Sequence, residues 1–123
     1  MNIDFLIEGE VAIVQLEGKF TTGSDAEFLR VKQGLADAGK NNVVVDCSHV
    51  PYLDSTALNF LVGLYTTAKN TGGGFALCGV NHRTSEVLRI THLNEFIAIY
   101  DTRQNAIASL MQANTRGDGV AEG

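Results

Sequence analysis

The sequence predicts an α/β fold in which a mostly parallel sheet of about five strands packs against about four helices. Short apolar runs of strand length alternate with longer amphipathic runs, and Gly-rich or polar segments separate them. The first two apolar runs lie so close together that they are expected to pair as an antiparallel hairpin. The predicted order is therefore ββαβαβαβα, with right-handed crossovers after the hairpin.

The individual elements follow from turn and capping residues. The opening strands are predicted at Ile3–Ile7 and Val11–Leu16, because Gly9 lies in a tight polar break between them. The first helix is predicted to begin at Ser24 and to end at Gly39. The remaining elements are predicted as strand Val43–Cys47, helix Ser55–Asn70, strand Phe75–Cys78, helix Arg83–Ile90, strand Phe96–Tyr100 and helix Arg103–Ala113.

Length and composition restrict the class of protein. A chain of 123 residues suits one domain, predicted over residues 1–114, with residues 115–123 as a polar, Gly-rich, disordered tail. The net charge of −5 argues against a nucleic-acid-binding protein, which would present a basic face. No signal peptide is recognisable, and no apolar run approaches the roughly 20 residues of a membrane helix. The predicted location is the cytoplasm, without membrane association.

The two cysteines, Cys47 and Cys78, each end a predicted strand. A disulfide is disfavoured in a reducing cytosol, so both are expected to be buried and to act as small apolar residues. The three histidines show no metal-ligand spacing, and no metal site is predicted. The Gly72–Gly74 run lacks the Lys-Ser/Thr that would complete a phosphate-binding loop.

The segment Val50–Leu58, with the sequence VPYLDSTAL, lies between a predicted buried strand and a predicted helix. Asp54 and Ser55 thus stand where a loop becomes a helix, and both are favoured capping residues there. The exposed N–H groups of a helix start also favour negative charge. A phosphate on Ser55 would meet this positive end and stand beside the Asp54 carboxylate, so the site can be switched.

A strand, the pattern V-x-x-L-D-S-T-A-L, a helix and then Gly-Gly before another strand resemble the STAS family, and within it the stand-alone anti-sigma factor antagonists. The matching residues are Val50, Leu53, Asp54, Ser55, Thr56, Ala57, Leu58, Gly63, Gly72 and Gly73. The resemblance covers roughly residues 3–112 and implies a STAS-like fold. One loop departs from it: antagonists commonly carry Gly-Glu-x-Asp after the second strand, and here Lys19 and Thr21 replace the two acids.

The resemblance also implies a function. In that family the Ser after the Asp is phosphorylated by an anti-sigma factor, a serine kinase with a GHKL-type ATPase fold. The unphosphorylated antagonist binds this kinase and frees the sigma factor, and a metal-dependent phosphatase resets the phosphorylated form. Ser55 is therefore the implied acceptor, with Thr56 as the second choice. The protein itself would be a transcription regulator by partner switching, not an enzyme, and would need no cofactor.

The expected partner-binding residues cluster at the helix after the signature and at the helix that follows His82. They are Asp54, Ser55, Thr56, Asn59, Phe60, Leu64, His82 and Arg83. The core face of the first of these helices is predicted to comprise Ala57, Leu58, Leu61, Val62, Tyr65 and Ala68. Phe60 and Leu64 fall off that face. Exposed together, they would form a patch for a partner; the alternative is that they pack on a neighbouring helix.

Two other functions remain open. STAS domains also serve as accessory subunits of phospholipid-transport ATPases and as components of signalling scaffolds. Such an adaptor would use the same helix face constitutively, and Ser55 would be only a cap. The resemblance also leaves open binding of a purine nucleotide by the domain itself, although no adenine or phosphate motif is present.

Overall fold

The computed structural model describes residues 2–18, 24–39 and 42–119. The elements are β1 (Asn2–Glu8), β2 (Val11–Glu17), α1 (Ser24–Ala38), β3 (Asn42–His49), α2 (Ser55–Asn70), β4 (Phe75–Cys78), α3 (His82–Ile90), a 3₁₀ turn (Leu93–Glu95), β5 (Ala98–Tyr100) and α4 (Arg103–Gly119). The predicted order and the predicted α/β class are confirmed. Lys19 and Thr21 of the departing loop lie outside the described residues.

The five strands form one sheet in the order β1-β2-β3-β4-β5. β1 pairs antiparallel with β2, and Leu6 lies opposite Ile13. The other pairs are parallel, with Val45 opposite Leu77 in the middle of the sheet. The hairpin turns at Gly9, whose φ of +61° is accessible to glycine at little cost. Because each crossover moves one strand along the sheet in the same direction, α1, α2 and α3 all lie on one face.

The sheet is covered on both faces, and this explains why β3 is a continuous apolar run rather than an alternating one. On the first face, Val43 and Val45 join a large core with α1, α2 and α3. On the second face, Val44 packs in a smaller core with Ala106 and Leu110 of α4. Because β3 and β4 are parallel, their carboxyl ends lead into loops at the same edge of the sheet, where α2 and α3 begin.

The first three strands extend one or two residues beyond their predicted limits, and three boundaries later in the chain differ as well. α3 begins at His82 rather than Arg83, because the side chain of Asn81 caps the helix. β5 begins at Ala98 rather than Phe96, since a 3₁₀ turn precedes it and leaves Phe96 exposed. α4 continues to Gly119, beyond the predicted end at Ala113. The domain limit at residue 114 remains a prediction, and residues 120–123 lie outside the described part.

No helix among the described residues is both long and apolar enough to span a membrane.

Candidate partner-binding site

The loop between β3 and α2 is held by its own apolar residues and ends in a helix cap. Val50 and Leu53 are buried and fix the loop against the core. Asp54 has an extended backbone, and its Oδ1 accepts a hydrogen bond from the backbone N–H of Ala57 at 2.9 Å. Asp54 is therefore the N-cap of α2, while Ser55 is the first helical residue and is exposed. The loop presents the Ser55 hydroxyl to solvent from a fixed backbone.

The start of α2 leaves backbone donors available. Asp54 satisfies one of them, since its side chain accepts from Ala57, while its carbonyl oxygen accepts the first intrahelical bond, from Leu58 at 3.0 Å. Helix geometry provides no intrahelical acceptor for the N–H groups of Ser55 and Thr56. An anion attached to the Ser55 hydroxyl would thus lie close to two donors and to the positive end of the helix dipole.

Asn81 ties this loop to the start of α3. Its Nδ2 donates to the carbonyl oxygens of Val50 and Pro51 at 3.4 and 3.0 Å. Its Oδ1 accepts from the backbone N–H of Thr84 at 2.8 Å and caps α3. Asn81 is not among the residues predicted from the sequence, although an Asn shortly before a predicted helix is a recognisable N-cap signal. One amide therefore fixes the position of the loop before α2 relative to the start of α3.

The residues predicted for partner contact are largely brought together at this edge. His82 and Arg83 are exposed at the start of α3, and the Arg83 guanidinium carbon lies 5.6 Å from the centre of the Tyr52 ring. This distance is typical of a cation–π contact, which holds the cation over the loop that precedes Ser55. Thr56 and Asn59 line a hollow on the α1 side of the same helix start. The candidate surface therefore combines hydroxyl, amide and cationic groups.

The predicted exposure of Phe60 and Leu64 is wrong. Both side chains are buried, with exposed fractions of 5% and 1%. The Phe60 ring stacks on Phe28 of α1, with 4.1 Å between the ring centres. α2 is covered by α1 on one side as well as by the sheet, so its buried face is wider than predicted and extends to both residues. Val62, predicted to be in the core, is instead 38% exposed.

A second polar cluster lies on the opposite face of the sheet. The Arg103 guanidinium binds Asp46 Oδ2 through Nε at 3.2 Å and through Nη2 at 2.9 Å, and Nη2 also donates to Gln15 Oε1 at 3.2 Å. Asp46 Oδ1 accepts from the backbone N–H and hydroxyl of Ser48 at 2.9 and 2.6 Å. Burial raises the pKa of Asp46, but the hydrogen bonds from Ser48 and Arg103 outweigh it and hold the pKa below its ordinary value. This cluster connects β2 and β3 with the start of α4.

Both cysteines are buried, as predicted. Burial raises the pKa of Cys47 and of Cys78 to about 12 in each case, and the nearby Asp46 carboxylate adds to both shifts. The two thiols are therefore protonated at neutral pH and weakly reactive. Among the residues that the structure describes, no group of three or more His, Cys, Asp or Glu side chains is arranged to hold a metal ion.

Replacing Asp54 with Ala is expected to lower the free energy of unfolding by about 1 kcal/mol, because the N–H of Ala57 loses its acceptor. Asp54→Asn is the matched control: its side-chain oxygen can still accept this bond, so its stability should remain within a few tenths of the wild-type value. Urea denaturation of the three proteins measures the difference. An equal loss in both variants would show that the hydrogen bond to Ala57 is not the source of the stabilisation.

An α/β domain with three helices on one face and an exposed hydroxyl at the capped start of its second helix has the architecture of STAS domains. The comparison with family models agrees: the STAS domain model matches residues 2–106. The chain belongs to the STAS domain family, and the resemblance seen in the sequence is confirmed.

Similar proteins include named anti-sigma factor antagonists. The anti-sigma F factor antagonist of Paenibacillus polymyxa is 26% identical over 113 residues, which cover 89% of this chain and 97% of the relative. A Thermotoga neapolitana protein named as a homologue of an anti-sigma factor antagonist is 36% identical over 69 residues, and the match spans 61% of its length. The crystal structure of a Thermotoga maritima protein described as an anti-sigma factor antagonist superposes with a TM-score of 0.77 at 25% identity, covering 89% of this chain and 94% of that one.

Proposed function

We propose that this protein is an anti-sigma factor antagonist that binds an anti-sigma serine kinase of the GHKL type and is released when Ser55 is phosphorylated. The observation that carries the proposal is the position of Ser55: it is exposed, it directly follows the cap residue Asp54, and it belongs to the signature shared with antagonists. The names of similar proteins support an anti-sigma factor as the partner. In this role the protein regulates sigma-factor-dependent transcription without being an enzyme.

The local electrostatics suit a phosphorylation switch. A phosphate adds about −1.5 to −2 charges, and the start of α2 would stabilise it by ~0.5–2 kcal/mol, so the domain should stay folded. The phosphate would also lie next to the Asp54 carboxylate, whose Oδ1 already accepts the capping hydrogen bond from Ala57. A partner that covers this edge must desolvate both charges, at a cost on the order of several kcal/mol. Since every 1.4 kcal/mol is tenfold in affinity, one phosphate suffices to end a micromolar complex.

The geometry supports the rest of the proposed contact surface. Asp54, Thr56 and Asn59 flank Ser55, while His82 and Arg83 reach the same edge through the Asn81 connection. Phe60 and Leu64 no longer belong to it, because their side chains are buried. A metal-dependent serine phosphatase would reset the phosphorylated protein, and Thr56 is the alternative acceptor.

The test uses the wild-type protein, Ser55→Ala and Ser55→Asp as baits in pull-downs from host lysate, with mass spectrometry of the retained proteins. We expect a GHKL-type kinase to be retained by the wild type and by Ser55→Ala and to be lost with Ser55→Asp. The retained kinase, given ATP and Mg²⁺, should then phosphorylate the wild type and Thr56→Val but not Ser55→Ala, as located by peptide mass spectrometry.

Two results would contradict the proposal. If all three baits retain the same transporter or scaffold subunit, the protein is a constitutive adaptor and Ser55 is only a helix residue. If the kinase modifies Ser55→Ala but not Thr56→Val, the acceptor is Thr56.

A further inference from the structure

The side chain of Asn81 makes more hydrogen bonds than a helix cap requires. Capping needs only an acceptor, and Oδ1 provides it for the backbone N–H of Thr84 at 2.8 Å. Because that N–H is a donor, the orientation of the amide is fixed, and Nδ2 faces the carbonyl oxygens of Val50 and Pro51. Ser and Asp cap helices about as well as Asn, yet neither offers an NH₂ group beside the acceptor. The donor half of Asn81 therefore serves something other than the cap.

The backbone brings Asn81 to this loop through a close approach at the ends of β3 and β4. Gly79, directly after β4, has a φ of +70°, and a Cβ atom there would lie 3.1 Å from the Cα of Ser48 and closer still to its hydroxyl, so only glycine fits. The chain after β4 therefore runs directly against the end of β3, and Asn81, two residues later, reaches the loop carbonyl groups. A second contact joins the same two segments, since the Arg83 guanidinium lies over the Tyr52 ring.

The two segments that Asn81 joins carry different parts of the proposed contact surface. The loop of residues 50–54 leads into Ser55, and α3 begins with the exposed residues His82 and Arg83. A flexible surface loses conformational freedom when a partner binds, and this loss weakens the complex, whereas a surface that is already fixed avoids it. The bonds from the Asn81 amide to the loop backbone provide such fixation in the free protein.

We propose that Asn81 is a positioning residue for partner recognition: its Nδ2 holds the loop of residues 50–54 against the start of α3, so that Ser55 and the first residues of α3 meet the anti-sigma factor as one preformed surface. This inference rests on the proposed function and adds a residue that determines affinity through the loop. Asn81 is itself exposed, so the test must separate positioning from a direct contact with the partner. A direct contact would affect binding alone, whereas positioning also affects the loop in the free protein.

The first measurement is amide hydrogen exchange of the free protein, followed by NMR. Asn81→Ser keeps an acceptor for the Thr84 N–H but removes both bonds to the loop. The Val50 amide, which donates to the Cys47 carbonyl oxygen, should exchange about 3- to 10-fold faster in this variant, while the Thr84 amide should not change. Thr91→Val is the matched control, because Thr91 Oγ1 also donates to two backbone carbonyl oxygens, at the other end of α3. This control should leave the exchange of Val50 unchanged.

The second measurement is the affinity of the purified anti-sigma factor for the same unphosphorylated proteins, by calorimetry. We expect Asn81→Ser to bind about 3- to 10-fold more weakly than the wild type and Thr91→Val to bind within about twofold of it. Equal weakening by both variants would overturn the proposal, because the stability of α3 would then be the cause.

The two measurements together identify the other outcomes. Weaker binding of Asn81→Ser without faster exchange at Val50 would mean a direct contact with the partner, and faster exchange with wild-type affinity would mean that the loop position does not matter for binding. Either result overturns the proposal and leaves the proposed function intact. If the wild type binds no anti-sigma factor, the proposed function fails and the role in recognition fails with it, while the exchange rates still decide whether Asn81 holds the loop.

Discussion

Replacing Arg103 with Met is expected to lower the free energy of unfolding by about 3 kcal/mol, the largest loss we predict for a single polar side chain. The reason is that Asp46, with a side chain only 10% exposed, would keep its charge and lose both bonds from the guanidinium. Breaking a buried pair from one side costs more than the pair itself contributes, because the remaining charge stays desolvated. Urea denaturation at pH 7 measures the loss, and the thermal midpoint should fall by roughly 10 °C.

The double variant Asp46→Asn/Arg103→Met separates the unpaired charge from the loss of packing. An Asn oxygen still accepts the two bonds from Ser48, and no buried charge remains. We therefore expect the double variant to be more stable than Arg103→Met alone. If it is less stable than the single variant, the cost arises from the lost arginine side chain and not from the stranded carboxylate.

The pH dependence has a defined sign. The pKa of Asp46 in the folded protein lies below its ordinary value of 3.8, so the pair contributes fully above that pH and is lost as the pH falls through the folded pKa. In Arg103→Met the burial remains while a compensating partner is gone, so the Asp46 pKa should rise. The stability difference between wild type and variant should therefore shrink as the pH falls below about 4. A difference that grows in acid would contradict this assignment.

The fold could be predicted from local sequence signals because each helix and strand carries a signal of its own. The alternation of apolar runs, the Gly9 turn and the Asp54 cap are all defined by residues a few positions apart. The Asn81 cap could have been recognised in the same way, but its bonds to Val50 and Pro51 could not, because they join separate loops that only the parallel sheet brings together.

The Asp46–Arg103 pair was beyond sequence reasoning for a related reason. Its members are 57 residues apart, and either residue alone suggests a solvated surface position. The pairing depends on the direction that α4 takes after β5, across the face of the sheet opposite to the other three helices. A helical pattern shows that a helix has an apolar face but not on which face of the sheet the helix packs.

The error on α2 arose from assigning a helix a single narrow core face. Leu61 and Ala68 fix the centre of the buried face correctly, but apolar side chains lie on both sides of this centre. Which side is covered depends on where α1 passes, and Phe28 places it over Phe60. Val62, on the other side, receives no such cover and is partly exposed.

Alanine substitutions at Phe60 and Val62 test this packing. The substitution that lowers stability more marks the side chain that lies in the core. Phe60→Ala should lower the free energy of unfolding by about 3–5 kcal/mol, because it removes a buried ring and leaves a cavity against Phe28. Val62→Ala should change stability by about 0.5 kcal/mol or less, since Ala favours the helix and Val62 is partly exposed. Guanidinium denaturation of both variants shows which of the two side chains lies in the core. A larger loss at Val62 than at Phe60 would restore the narrow face expected from the sequence and would return Phe60 to the partner-binding surface.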